Sequence, residues 1–310
     1  MMIILFVLLI LIAVFASIVY LTYYVSFYSR KRKRLFEVGA PKGKKYDSYR
    51  LKVKHNMSLF ADVDLKWIHT TSYDGYRLSG RYYHNHNNAP LVLIFHGYRS
   101  NAKRDASGGF WYCKDKGFNV LMPDQRAHGR SRSHTITCGI KERYDVISWI
   151  DYCNKNWGNN TPIILMGVSM GAATVMMASG LNLPSNVVGI VADCGYSSPK
   201  DILTSVIRAM KLPVRLTYWI TKLGARIFGG FNPDSASAVE AVSACRLPLL
   251  IVHGNADTLV PPSMAKKIYD AAAGDKELLI VDGAEHGVSF YRDTKAYVAA
   301  LDRFFNKIKL

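Results

Sequence analysis

The sequence predicts an α/β fold: a mostly parallel, eight-stranded sheet with helices on both faces and a helical lid, preceded by one N-terminal transmembrane helix. Three observations predict it. Residues 2–28 are apolar and carry no charged side chain, which exceeds the roughly 20 residues that cross a bilayer as a helix. Beyond residue 60, short apolar runs alternate with helix-compatible stretches, the rhythm of βαβ units. The pentad Gly167-Val168-Ser169-Met170-Gly171 stands where one of those runs passes into a helix-forming stretch of small residues, the setting of a strained strand-to-helix turn.

The length, 310 residues, suits one large α/β domain with an insertion. The expected organisation is a transmembrane anchor at 1–29, a basic juxtamembrane linker at 30–60 with some helical content, and a folded domain at 61–310. Apolar residues at 49% and aromatic residues at 12% exclude a disordered or low-complexity chain. No internal repeat of 20 to 50 residues is present, which excludes solenoids and propellers.

The apolar N-terminus reads as an uncleaved anchor, because a cleaved signal opens with a basic region and has a shorter apolar stretch. Tyr20, Tyr23, Tyr24 and Tyr28 gather at its C-terminal end, where phenol rings suit the membrane interface. Arg30-Lys31-Arg32-Lys33-Arg34 follows at once, and the positive-inside bias then places the folded domain in the cytoplasm. Between Arg30 and Lys54 there are 11 Lys or Arg against Glu37 and Asp47, so about +9 of the formal +17 lies beside the membrane. Anionic lipid head groups are the expected partner of Arg30, Lys31, Arg32, Lys33 and Arg34. Nucleic acid is not, since no binding motif accompanies the charge. Five cysteines without CxxC spacing fit reduced thiols in a cytoplasmic domain. His84 and His86 have no third ligand at metal-site spacing, so they read as a solvated loop and no metal is expected.

The strands are expected in order. Residues 65–72 and 76–83 alternate apolar and polar side chains around Asp74-Gly75, a turn pair typical of a tight antiparallel hairpin. Apolar runs at 91–95, 119–122, 162–166, 187–192, 247–252 and 277–281 read as strands buried on both faces, hence parallel and flanked by helices. Ligands bind such sheets at the C-terminal strand ends. Residues 197–245 break the rhythm with an amphipathic stretch and the aromatic pair Tyr218-Trp219. They are expected to form a helical lid over the site that shapes the acyl or leaving-group pocket.

The pentad alone is a moderate signal, since chance supplies about 0.1 copies in a chain of this composition. Its setting strengthens it: Ile163 to Met166 form an apolar strand before it, and Ala172 to Ala178 a small-residue helix after it. A sharp turn there exposes Ser169 Oγ at a helix N-terminus, with the Met170 N–H aimed at a developing oxyanion.

With Phe95-His96-Gly97-Tyr98, Asp124 to Ser131, His253-Gly254-Asn255-Ala256-Asp257 and Glu285-His286-Gly287, the pentad resembles the α/β-hydrolase superfamily over about residues 65–310. In detail the chain is similar to single-pass, monoglyceride-lipase-like and serine-aminopeptidase-like bacterial hydrolases. The resemblance implies Ser169 as nucleophile, His286 as general base and Asp257 as the acid that orients it, with Asp193 as the fallback acid. It implies Tyr98 and Met170 as the backbone donors of an oxyanion hole, and no metal or organic cofactor. Asp124, Arg126 and His128 read as loop architecture; the family's usual glycine is Ala127 here.

The expected activity is hydrolysis of a carboxylic ester or thioester, lipid-like or small, through an acyl-enzyme on Ser169. A serine aminopeptidase is the runner-up, disfavoured because a substrate amine needs carboxylates and the lid offers few beyond Asp234 and Glu240. A catalytically silent membrane-tethered binding protein is the alternative from another class, since a fold does not fix function.

Overall fold

The computed structural model describes residues 1–29 and 43–310, so the basic run Arg30 to Arg34 lies outside the described residues. The chain opens with α1 (Met2–Ser26). A short 3-10 turn (Lys44–Tyr46) leads into α2 (Asp47–Ser58), and a second turn (Leu59–Asp62) leads into the sheet. There follow β1 (Lys66–Thr71), β2 (Arg77–Tyr83), β3 (Leu91–Phe95), α3 (Ala102–Asp105), α4 (Ser107–Asp115), β4 (Asn119–Asp124), α5 (Glu142–Trp157) and β5 (Ile163–Val168). The second half holds α6 (Met170–Ala178), β6 (Val187–Asp193), α7 (Pro199–Ala209), α8 (Val214–Gly229), α9 (Ala238–Ala244) and β7 (Leu249–Gly254). It closes with α10 (Pro262–Ala271), β8 (Lys276–Val281), α11 (Ser289–Arg292) and α12 (Thr294–Lys307).

The eight strands form one sheet in the order β1-β2-β4-β3-β5-β6-β7-β8. Only β2 runs antiparallel to its neighbours, pairing Lys66 with Tyr82 on one side and Gly80 with Pro123 on the other. The interior strands β3, β4, β5 and β7 are buried at every position because helices cover both faces, which is why their sequences are continuous apolar runs rather than alternating ones. The β1–β2 connection is longer than a two-residue turn: residues 72–76 form a loop in which Ser72 N donates to Tyr76 O at 2.8 Å and Gly75 adopts φ 85°. Asp74 accepts from Ser72 Oγ at 2.7 Å within the turn and from the Arg126 guanidinium at 2.9 and 3.1 Å.

The expected linker at 30–60 is, in its described part, folded structure. Val53 of α2 is 1% exposed and Phe60 2% exposed; Tyr49 and Val53 pack on Val288 and Tyr291. Two apolar side chains four residues apart on an otherwise polar helix suffice to dock one face.

The 197–245 insertion is helical, with Ser198 capping α7 by accepting from Asp201 N at 3.0 Å and Ser237 capping α9, two ordinary N-cap contacts. Part of its apolar side meets the anchor, while Leu216, Ile227 and Met210 stay exposed. Phe15 meets Trp219 with ring centroids 6.0 Å apart, Tyr20 meets Phe228 at 5.1 Å, and Phe27 meets Phe231 at 5.1 Å. These pairs rise together in sequence, so α1 and α8 run parallel. The free part of α1 is exposed and apolar over most of its length, and among the described residues it is the one helix long and apolar enough to cross a membrane.

Candidate active site

The pentad folds as a strained turn between β5 and α6. Ser169 sits at φ 56°, ψ −116°, a region that costs a non-glycine residue about 1–3 kcal/mol. The surrounding backbone enforces it: Ser169 N donates to Asp193 O at 2.8 Å and Ala173 N to Ser169 O at 3.0 Å. Strand and helix approach so closely that neither flanking position has room for a side chain. A Cβ at Gly167 would lie 2.3 Å from the Gly171 carbonyl carbon, and one at Gly171 would lie 2.0 Å from Phe95 O.

Two loops at the C-terminal strand ends bring up partners. The β7 end carries Asp257, whose Oδ1 accepts from the N–H groups of Leu259 at 2.9 Å and Val260 at 2.8 Å. The loop after β8 carries His286. With its proton on Nδ1, His286 donates to Asp257 Oδ2 at 2.7 Å, and Ser169 Oγ donates to His286 Nε2 at 2.8 Å. The structure therefore brings Ser169, His286 and Asp257 into one hydrogen-bonded chain. Burial works against ionisation of Asp257, but hydrogen bonds from His253, His286 and the Val260 N–H outweigh it and hold the carboxyl well below the usual range.

Asp193, the fallback acid, faces elsewhere: it accepts from Tyr297 OH at 3.2 Å, and burial pushes it up to about 6. Glu285 turns away to Lys45, 2.7 Å distant.

His253 was visible in the motif but its role was not. Fully buried behind Asp257, it donates from Nε2 to Val260 O at 2.8 Å, and the same nitrogen lies 3.4 Å from Asp257 Oδ2. Both histidines thus approach the same carboxylate oxygen, His286 more closely.

The 97–99 loop lies against the serine. A Cβ on Gly97 would stand 3.2 Å from Ser169 Cβ, and Asp105 holds Gly97 by accepting its N–H at 2.7 Å. Asp105 is itself paired with Arg104 Nε at 2.8 Å. Met170 is the first residue of α6, so its N–H has no intrahelical partner, and among the described residues the Tyr98 N–H takes part in none of the backbone hydrogen bonds that knit its loop. Burial and the adjacent His96 hold His128 neutral, down to about 3; it accepts the Arg99 N–H at 2.9 Å and donates to Arg126 O at 2.8 Å. Arg126 in turn grips Asp145 at 2.6 and 2.7 Å, and Arg81 reaches Asp124 at 3.1 Å. These groups hold loops and point away from the cavity.

A cavity of about 270 Å³ opens at Ser169 and His286, walled by Tyr46, Val53, Leu259 and Tyr291, with Arg104 and Asp105 at its side. None of its lining residues comes from 197–245. Tyr46, Val53 of α2 and Tyr291 of α11 wall this cavity, while α8 of the insertion packs along α1.

An eight-stranded, mostly parallel sheet with a Gly-Ser-Gly elbow at the end of β5 defines an α/β-hydrolase. The chain belongs to the hydrolase family described as serine aminopeptidase S33, whose model matches residues 86–234 and 217–293, together more than half of the chain. It is 25% identical over 238 residues to the uncharacterized protein YqkD of Bacillus subtilis, covering 76% of this chain and 77% of that one. It is also 25% identical over 222 residues to the lysophosphatidylserine lipase ABHD12 of Xenopus tropicalis, covering 66% of this chain and 52% of the lipase. Among solved structures, the esterase Pf2001 of Pyrococcus furiosus superposes with a TM-score of 0.65 at 23% identity, over 80% of this chain and 92% of the esterase. The mouse alpha/beta hydrolase domain-containing protein 10 does so with 0.58 at 21% identity, over 79% and 100%. These two likenesses concern the fold.

With Asp257 as the proposed orienting acid, Asp257→Asn is expected to lower kcat by about 10³–10⁴-fold, because an amide lacks the charge that would stabilise an imidazolium and permits the wrong tautomer. Stability has a definite sign. The folded carboxyl titrates below the unfolded value of about 3.9, so its contribution is full above that pH and is lost as pH falls through the folded value. The difference in Tm between wild type and Asp257→Asn should be flat above pH 5 and shrink below pH 4. Thermal unfolding from pH 3 to 8 measures it; a difference that grows on acidification would contradict the assignment.

Proposed function

We propose that this hydrolase cleaves a carboxylic ester or thioester through an acyl-enzyme on Ser169. The observation that carries the reading is the continuous Ser169–His286–Asp257 chain at 2.8 and 2.7 Å at the mouth of a largely apolar cavity. In this reading Ser169 Oγ attacks the carbonyl carbon while His286 Nε2 takes its proton. The amides of Met170 and Tyr98 receive the oxyanion. The imidazolium, held by Asp257, returns the proton to the leaving group, and water activated by the same histidine releases the acyl group.

The cavity walls favour an ester over a peptide. Tyr46, Val53, Leu259 and Tyr291 suit an acyl chain, and the cavity-lining carboxylate, Asp105, is already neutralised by Arg104 and held by the Gly97 N–H. Among the described residues a free amine would find no unpaired acid lining the cavity. That one relative is a lysophosphatidylserine lipase agrees with an amphiphilic ester. The family's own description, serine aminopeptidase, keeps the peptidase reading as the second. Assay of the full chain in detergent micelles separates them. Esters should be cleaved faster than aminoacyl amides, with kcat/KM rising from acetyl to about octanoyl; faster amide cleavage would defeat the ester assignment.

The same proposal places α1 across the membrane as a single pass, the domain on the cytoplasmic side, and Arg30 to Arg34 against anionic lipid. The apolar and largely exposed character of α1 (Met2–Ser26) supports the span,. A reporter that functions only in the cytoplasm, fused after Leu310, should be active; silence there with an active extracytoplasmic reporter would reverse the orientation.

A further inference from the structure

The last turn of α1 is bonded to the loop that bears Tyr98. A helix ends with four carbonyls that have no intrahelical donor, and here the loop after β3 supplies some of the missing donors. Tyr98 OH donates to Ser26 O at 2.8 Å; Arg99 Nη2 donates to Val25 O at 2.7 Å and to Tyr28 O at 3.2 Å. A guanidinium at this end also meets the negative pole of the helix dipole. The Arg99 group lies 5.0 Å from the Tyr98 ring, so the two side chains form one cap.

The cap is asymmetric in what it holds. The anchor's end is fixed to the domain without it: Ser29 N donates to His134 O at 2.7 Å, Ile136 N to Phe27 O at 2.8 Å, and Tyr23 OH lies 2.8 Å from Thr135 Oγ1. The loop is the strained partner. Arg99 has φ 50°, a left-handed conformation that a residue with a long side chain adopts only under constraint. Its constraints are the N–H bond to His128 Nε2 at 2.9 Å and the two bonds to the helix end.

We propose that the C-terminal turn of α1 sets the position of the oxyanion loop, with Arg99 as the positioning residue, so that the anchor is a structural part of the active site as well as a tether. The inference rests on the proposed hydrolase reading, in which the Tyr98 N–H is an oxyanion donor. Such a donor acts only when held about 3 Å from the oxyanion, and a misplacement of about 1 Å costs on the order of 100-fold in rate. Arg99 itself does not line the cavity, whose walls include Tyr46, Val53, Leu259 and Tyr291, so its replacement is expected to act on kcat more than on KM.

The test uses the full chain in detergent micelles with 4-nitrophenyl butyrate, each preparation normalised by fluorophosphonate titration of its active serine. Arg99→Ala should lower kcat by about 10- to 100-fold with KM within about twofold. It should weaken a trifluoromethyl ketone, which forms an oxyanion on the serine, by the same factor as kcat. Arg99→Lys, with one ammonium for two carbonyls, should recover part of both. Where Arg99→Ala yields no folded protein, Tyr98→Phe removes only the phenolic bond to Ser26 and should show the same pattern at about threefold. An active wild type whose variant keeps its kcat and its ketone affinity would overturn the inference alone. So would a fall in kcat without a matching fall in ketone affinity. A wild type that neither turns over the ester nor titrates would overturn the hydrolase reading as well.

Discussion

Ser169→Ala is expected to lower kcat by about 10⁵- to 10⁶-fold while leaving the fold intact. The magnitude follows from the concerted role of the set: a nucleophile, a base and an orienting acid act as a unit, and removal of the nucleophile costs about as much as removal of all three. What survives is the modest rate that the oxyanion donors and the cavity provide alone. The fold should tolerate the change because Ser169 keeps its backbone bonds to Asp193 and Ala173 and loses only the hydrogen bond to His286 at 2.8 Å. Ser169→Gly should be equally inactive and at least as stable, since glycine accepts φ 56° without the strain that serine bears there,. Steady-state rates and denaturant midpoints on the three proteins check both statements. A variant alanine that keeps more than about 1% of wild-type kcat would place the chemistry elsewhere.

Gly171→Ala is expected to have the largest effect on stability, at least about 3 kcal/mol. The added methyl would lie 2.0 Å from Phe95 O, 2.5 Å from Phe95 C and 2.8 Å from His96 O. These are backbone atoms at the end of β3, so no side chain can rotate away to make room. The only relief is to separate α6 from β3, which breaks sheet–helix packing and draws the 97–98 loop off Ser169. Stability and activity should therefore fall together, unlike in Ser169→Ala. A denaturant midpoint within error of wild type would show that the elbow is looser than its geometry implies.

How much of this was legible in the sequence depends on whether the determinant was local. The elbow was, because its steric demands fall on adjacent residues: Gly167 and Gly171 face each other across one turn, and Ala172 and Ala173 allow the helix to approach. The strands were also legible, since apolar runs such as Ile163 to Met166 have one use in a sheet covered on both faces. The hairpin at Asp74-Gly75 was legible as a local feature too, Gly75 supplying the positive φ of 85°, whereas the ion pair of Asp74 with Arg126, 52 residues away, was not. Residues 44–60 looked like a linker because α2 buries chiefly Tyr49 and Val53, too short a stripe to stand out from its polar neighbours. The insertion at 197–245 showed its amphipathic face, yet periodicity names a face and not its partner, and the partner is α1. The cap on α1 left no trace at all, since its acceptors are the backbone carbonyls of Val25, Ser26 and Tyr28.

Covalent labelling tests most directly whether Ser169 is an accessible, activated nucleophile. The full chain in detergent micelles should react with a fluorophosphonate in a one-to-one ratio. Peptide mapping should place the adduct on Ser169, and Asp257→Asn should slow the reaction by orders of magnitude. A folded protein that does not label, or that carries the adduct on another serine, would contradict the account.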